Sequence, residues 1–152
     1  MHSGTMAFME KIVPDLAALA TAAEELLMSL SPKGTATLVT LSGELGAGKT
    51  AFTKALASHL GITEDVTSPT FVLEKIYSLP ETSRFARLIH IDAYRLKNGT
   101  ELAALGFDEL MKDGENLVVL EWPEKVADAL PNAERALTLR VHDDGSRIIS
   151  YA

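Results

Sequence analysis

Apolar positions along the chain fall into short blocks separated by polar joints rich in Gly and Pro. Residues 35–41 (Thr-Ala-Thr-Leu-Val-Thr-Leu) are β-branched and largely apolar without alternation, as in a strand buried on both faces. Residues 117–121 (Leu-Val-Val-Leu-Glu) read the same way. Ala/Leu/Glu-rich stretches with helical spacing lie between such blocks. One runs from Pro14-Asp15 to about Leu30, with the proline placed in the first turn; another covers 49–60 and is ended by Gly61. Residues 11–13 form a short apolar lead-in with strand character. Residues 71–78 and 87–92 read as two strands around a turn at 80–84. Residues 100–111 read as a helix interrupted at Gly106, and 123–130 as a helix stopped by Pro131. Residues 135–141 and 147–151 flank Asp143-Asp144-Gly145, a hairpin turn.

Strands alternating with helices and ending in a hairpin predict an α/β domain, with a mostly parallel central sheet and antiparallel edge strands. In such a sheet the C-terminal ends of parallel strands lie side by side, where open sheets bind ligands. Three blocks end in chemically active residues at such positions: Gly43, Asp92 and Glu121.

Length and composition narrow the function. The 152 residues suit one domain, taken as 11–152 behind an N-terminal extension of residues 1–10, in which Met6 reads as the native start. There are no cysteines, which removes disulfides, thiolate zinc sites and Cys nucleophiles and makes a cytoplasmic address natural. No basic leader followed by an apolar core and cleavage site is visible, and no apolar run reaches the ~18 residues of a membrane span. A charge of −7, from 14 basic and 21 acidic residues, argues against a broad basic surface for DNA.

The sharpest signal is Gly43-Glu44-Leu45-Gly46-Ala47-Gly48-Lys49-Thr50, which matches the phosphate-binding pattern G-x-x-x-x-G-K-[ST]. A chance match somewhere in a chain of this composition has a probability of about 0.5%. Here a buried strand precedes the loop and a helix follows it, as the P-loop requires. Glycines let backbone N–H groups turn inward around phosphate oxygens, and the following helix adds its N-terminal dipole. Lys49 supplies a point charge to the β- and γ-phosphates, and the Thr50 hydroxyl is a magnesium ligand in such loops. The sequence therefore predicts a P-loop NTPase-like three-layer sandwich. Neither Asn-Lys-x-Asp nor Asp-x-x-Gly occurs, which favours ATP over GTP. Arginines 84, 87, 95, 135, 140 and 147 are scattered, with no lid-like cluster. Hydrolysis or ATP-gated switching is therefore favoured over the alternative of a small-molecule P-loop kinase.

Asp92 and Glu121 are the candidates to complete a magnesium site: Glu121 as direct ligand, Asp92 to orient the attacking water or hold the metal through water. His90 reads first as a satisfied strand-end histidine. The segment holding Thr67, Ser68 and Thr70 reads either as a switch sensing the γ-phosphate or as a plain proline turn. Trp122 reads as core packing or as a ring beside the nucleotide.

Five segments, GELGAGKT (43–50), TSPTF (67–71), HIDAYRL (90–96), ELAALGFDEL (101–110) and VLEWPEK (119–125), occur in this order at short spacing. Together they resemble the TsaE family, the small P-loop ATPases of bacterial tRNA threonylcarbamoyladenosine biosynthesis. The resemblance covers residues 13–151. It implies a magnesium-dependent ATPase, weak alone, that joins the TsaD and TsaB proteins in modifying adenosine 37 of tRNAs reading ANN codons. By motif, Thr50 and Glu121 are then the magnesium ligands, and Asp92 and Lys49 support hydrolysis. Leu45, Gly46, Ala47, Gly48, Lys49, Thr50, Trp122 and Glu124 contact the nucleotide, and Thr67, Ser68 and Thr70 form the switch. Adenine and ribose contacts fall partly near Pro14. Tyr94 and Arg95 read either as partner-interface or switch residues or as a pair packing on the next helix. An acidic chain fits a protein that reaches tRNA through its partners.

Overall fold

The computed structural model describes residues 9–64, 66 and 73–151. Its elements are β1 (Met9–Val13), α1 (Leu16–Met28), β2 (Thr37–Ser42), α2 (Lys49–His59), β3 (Glu74–Ser78), β4 (Arg87–Asp92), α3 (Gly99–Ala103), α4 (Phe107–Met111), β5 (Asn116–Glu121), β6 (Arg135–Val141) and β7 (Arg147–Tyr151). The strands form one sheet in the order β1-β7-β6-β2-β5-β4-β3. The four central strands run parallel, while β3 pairs antiparallel with β4, β7 with β6, and β1 with β7. A parallel centre with antiparallel edges is the arrangement that the block pattern predicts.

Two apolar layers cover the sheet. On β2, Val39 and Leu41 face α1 and α2, meeting Leu26, Phe52 and Leu56. Leu38 faces the other way, toward Leu102 of α3 and Phe107 of α4. All six residues of β5 and the first five of β2 are buried. Strands covered on both faces need no polar alternation, so their sequences read as apolar runs.

Local chemistry sets the element ends, and several differ from the sequence expectation. Helix α1 is capped by Asp15, whose carboxylate accepts from the Ala18 N–H at 2.8 Å, so Pro14 stands ahead of the helix rather than in its first turn. It closes two residues early, where the Ser29 hydroxyl donates to the Leu26 carbonyl at 2.6 Å. Gly106, at φ +82°, divides α3 from α4, the interruption that the sequence predicts. The expected helix over 123–130 is two single 3-10 turns, Pro123–Lys125 and Ala127–Ala129. Buried Val126 adopts φ −132° between them, and Leu130 is extended ahead of Pro131. Anchoring one side chain in the core and the steric demand of a following proline together outweigh helix propensity. The expected strand at 71–78 is observed from Glu74; residues 71 and 72 lie outside the described residues.

Glu74 gives a test of this edge of the sheet. Its Oε2 is buried with no hydrogen-bond partner among the described residues, and burial pushes its carboxyl above the ordinary range. A carboxyl raised in the folded state binds its proton more tightly there than in the unfolded chain. Folding is therefore unpenalised below the unfolded value, ~4.3, and loses stability as pH climbs through the raised folded value. Glu74→Gln is expected to raise the melting temperature by about 1–3 °C at pH 8 and to lose that advantage near pH 4. Thermal melts at both pH values check this; an equal shift at both would contradict it.

Candidate functional site

The register of the central strands brings the three strand-end motifs together. Glu121, at the end of β5, pairs with Leu41 of β2 on one side and with Asp92 of β4 on the other. The loop that follows β2 starts two residues beyond Leu41, so Gly43, Asp92 and Glu121 share one end of the sheet. Gly43 lies at φ +144°, and a Cβ there would sit 2.3 Å from the Leu139 carbonyl oxygen of β6. Only a glycine lets the loop lie this close to the neighbouring strand. Gly48 then opens α2 at φ +103° without a side-chain cap, leaving the first N–H groups of an eleven-residue helix directed at the loop.

A cavity of about 380 Å³ opens here. Leu45, Gly46, Gly48, Lys49 and Thr50 form one wall, Asp92, Tyr94 and Arg95 a second, and Glu121 and Trp122 a third. Among the described residues the two non-glycine positions at positive φ are Leu73 (66°) and Trp122 (62°), and both line it. Residues held in this region cost about 1–3 kcal/mol each and concentrate at functional sites.

Lys49 dominates the electrostatics. Its side chain is buried, and its ammonium donates to the carbonyls of Gly43 and Glu44 while lying 4.0 Å from the Trp122 ring centre. Burial pulls its pKa below the ordinary lysine value, against the opposing pull of Glu121, Glu124 and Asp92. An ammonium held by neutral carbonyls and a π face is matched to an incoming anion that binds it more strongly. Trp122 in turn packs 4.9 Å from exposed Tyr94, with Lys125 5.5 Å from the Tyr94 ring.

Thr50, Asp92 and Glu121 offer hard oxygen donors around the same cavity. Magnesium is ordinarily held by one or two carboxylates completed by substrate phosphates and water, so these residues fit it. Among the described residues no group of three or more His, Asp or Glu forms a self-sufficient cage. Glu121 is buried and meets His90, with Nε2 and Oε2 2.5 Å apart. Asp92 accepts from the Tyr94 N–H at 3.0 Å.

A second cavity, about 220 Å³, shares Gly48 and Ala51 with the first. Val13, Pro14, Leu16, Ala47, Leu139 and Arg147 line it. Arg147 reaches across from β7 to the Gly46 carbonyl at 3.3 Å.

A family model described as Threonylcarbamoyl adenosine biosynthesis protein TsaE matches residues 13–149. The chain belongs to the TsaE family. Relatives named tRNA threonylcarbamoyladenosine biosynthesis protein TsaE include that of Treponema pallidum, 43% identical over 76% of this chain and 81% of its own. The Bacillus subtilis protein of that name is 38% identical over 75% of this chain and 68% of its own. The crystal structure of Bacillus subtilis YdiB superposes with a TM-score of 0.76 at 27% identity, covering 98% of this chain and 87% of the other. The family places the chain in tRNA threonylcarbamoyladenosine biosynthesis, and the likeness to YdiB accords with a P-loop NTPase-like fold.

Most residues singled out by the TsaE resemblance converge: Leu45, Gly46, Gly48, Lys49, Thr50, Asp92, Glu121 and Trp122 all line the first cavity. Ala47 does not. It is buried, its N–H donates to Glu44 at 3.1 Å, and it lines the second cavity. Glu124 lies outside the lining, though its charge acts on Lys49. Thr67, Ser68 and Thr70 lie outside the described residues. His90, read from the sequence as a satisfied strand-end histidine, meets Glu121, and Arg147, read as one of the scattered arginines, reaches the phosphate loop. The H-x-D spacing holds a signal for His90, since it sets the histidine on the same face as Asp92. Nothing in the sequence links Arg147 to a loop 101 residues earlier.

Trp122 is the sole tryptophan, so its emission reports on Lys49. Adding ATP is expected to draw the ammonium off the ring and change the emission saturably. Lys49→Ala should abolish the change. An ATP-saturated protein with unaltered emission would contradict the coupling.

Proposed function

We propose that this TsaE protein binds ATP with magnesium and hydrolyses it slowly, as the ATPase that acts on the TsaD–TsaB complex during threonylcarbamoyl modification of adenosine 37 in tRNAs reading ANN codons. The observation that carries this reading is a single cavity walled by the phosphate loop, Lys49, Thr50 and the two strand-end acids. The loop N–H groups and Lys49 hold the β- and γ-phosphates, with Lys49 exchanging its carbonyl partners for phosphate oxygens. Thr50 and Glu121 hold magnesium, which neutralises charge on those phosphates when bound. Asp92 orients the attacking water. The base and ribose extend toward the second cavity, where apolar Val13, Pro14, Leu16 and Leu139 meet the Arg147 guanidinium. Leu45, Trp122 and Glu124 border the nucleotide, and Thr67, Ser68 and Thr70 serve as the switch.

Hydrolysis is favoured over transfer to a metabolite because four of the six arginines are engaged away from the cavity. Arg84 donates to the Leu30 carbonyl, Arg87 to Asp113 and Asn116, Arg135 to the Glu134 carbonyl and Arg140 to Glu10. Of the six, Arg95 is the one lining the first cavity. With a charge of −7, the protein reaches tRNA through its partners in the cytoplasm rather than by gripping it directly.

Phosphate release from magnesium ATP should be slow for the protein alone and rise when TsaD and TsaB are added. Asp92→Ala and Glu121→Ala should keep ATP binding, at most modestly weakened, while turnover falls about 100-fold or more. No rise with the partners, or normal turnover in both variants, would overturn the proposal. Recovery of a phosphorylated metabolite alongside ADP would assign a kinase instead.

A further inference from the structure

We propose that His90 is a positioning residue, which fixes the Glu121 carboxylate so that its second oxygen is presented to the nucleotide-bound cation. The assignment rests on the proposed magnesium site and adds to it a residue that neither the loop motif nor the acids reveal. His90 lies on β4 beside Val119 of β5, one pleat below the Asp92–Glu121 pair, so its ring and the Glu121 side chain project from the same face. The ring is fully buried, the carboxylate is 3% exposed, and Nε2 meets Oε2 at 2.5 Å.

The other ring nitrogen makes the case. Nδ1 is buried and has no hydrogen-bond partner among the described residues. A histidine serving only to fill the core would leave its environment better satisfied if it were apolar, because an unpaired buried nitrogen carries a desolvation cost. What this ring supplies, and an apolar side chain cannot, is the contact to Glu121. A carboxylate oxygen accepts, so Nε2 is the nitrogen that donates to Glu121. With Oε2 committed to His90, the second carboxylate oxygen is left for the cation. Hydrogen bonds of this kind orient metal-binding carboxylates, and their loss typically weakens metal binding 10–100-fold.

The contact can be separated from packing by two amides of different reach. The Gln amide nitrogen extends to about the position of histidine Nε2, whereas the Asn amide stops near Nδ1. Manganese binding to the ATP complex, read from the electron paramagnetic resonance of free manganese, is expected to weaken about tenfold in His90→Asn. In His90→Gln it should stay near wild type, and ATP binding in EDTA should be unchanged in both. Wild-type affinity in His90→Asn would overturn the assignment. So would equal weakening in the two variants with equally lowered melting temperatures, which marks the ring as packing alone. A measurement on the unaltered protein does not depend on the variants folding: histidine nitrogen NMR should find His90 protonated at Nε2 in the magnesium ATP complex. Protonation at Nδ1 instead would overturn the proposal. If wild type binds manganese no more tightly with ATP than without, the proposed metal site itself fails and the His90 assignment falls with it.

Discussion

A buried ammonium, that of Lys49, sets the terms at the C-terminal end of the parallel strands. Taking a charge out of water costs several kcal/mol unless partners replace its hydration. Lys49 finds loop carbonyls, the Trp122 face and the fields of three acids. None of these matches the strength of a direct phosphate contact. The loop glycines, the uncapped start of α2 and the strained Trp122 backbone all hold this cation at the mouth of one cavity. Everything else in the site is arranged around that charge.

The sheet makes the arrangement possible. Two apolar layers bury the central strands on both faces, so the strand tips are fixed by packing over the whole domain rather than by local loops. Parallel pairing with Leu41 and Asp92 sets Glu121 between the phosphate loop and the second acid. His90 continues the same logic one pleat deeper, tying a potential metal ligand to the core. Tyr94 carries it outward, because its ring packs at a tilt against Trp122 and is also exposed at the surface. Lys49, Trp122 and Tyr94 thus form a run of contacts from the cavity to the surface.

Much of this was legible in the sequence because the informative residues sit in runs with a local signature. Buried parallel strands read as apolar blocks, and the phosphate loop is defined by eight consecutive residues. The ends of Arg87–Asp92, Arg135–Val141 and Arg147–Tyr151 coincide with the expected ones. What escaped depends on contacts distant in the chain. The helix expected after Trp122 breaks because Val126 is needed in the core. Ala47 turns away from the first cavity because its N–H closes the loop turn on Glu44. Arg147 reaches Gly46 only because β7 folds back beside β6. His90 offered a spacing but no sign of its partner, since Glu121 becomes its neighbour only through strand pairing.

On the proposed function, the phosphate loop and the two strand-end acids form one magnesium nucleotide site. Calorimetric titration of ATP into the protein, with and without magnesium, tests it most directly. One ATP should bind per chain, and more tightly with magnesium than in EDTA. Absence of ATP binding, or equal affinity in the two conditions, would contradict the claim.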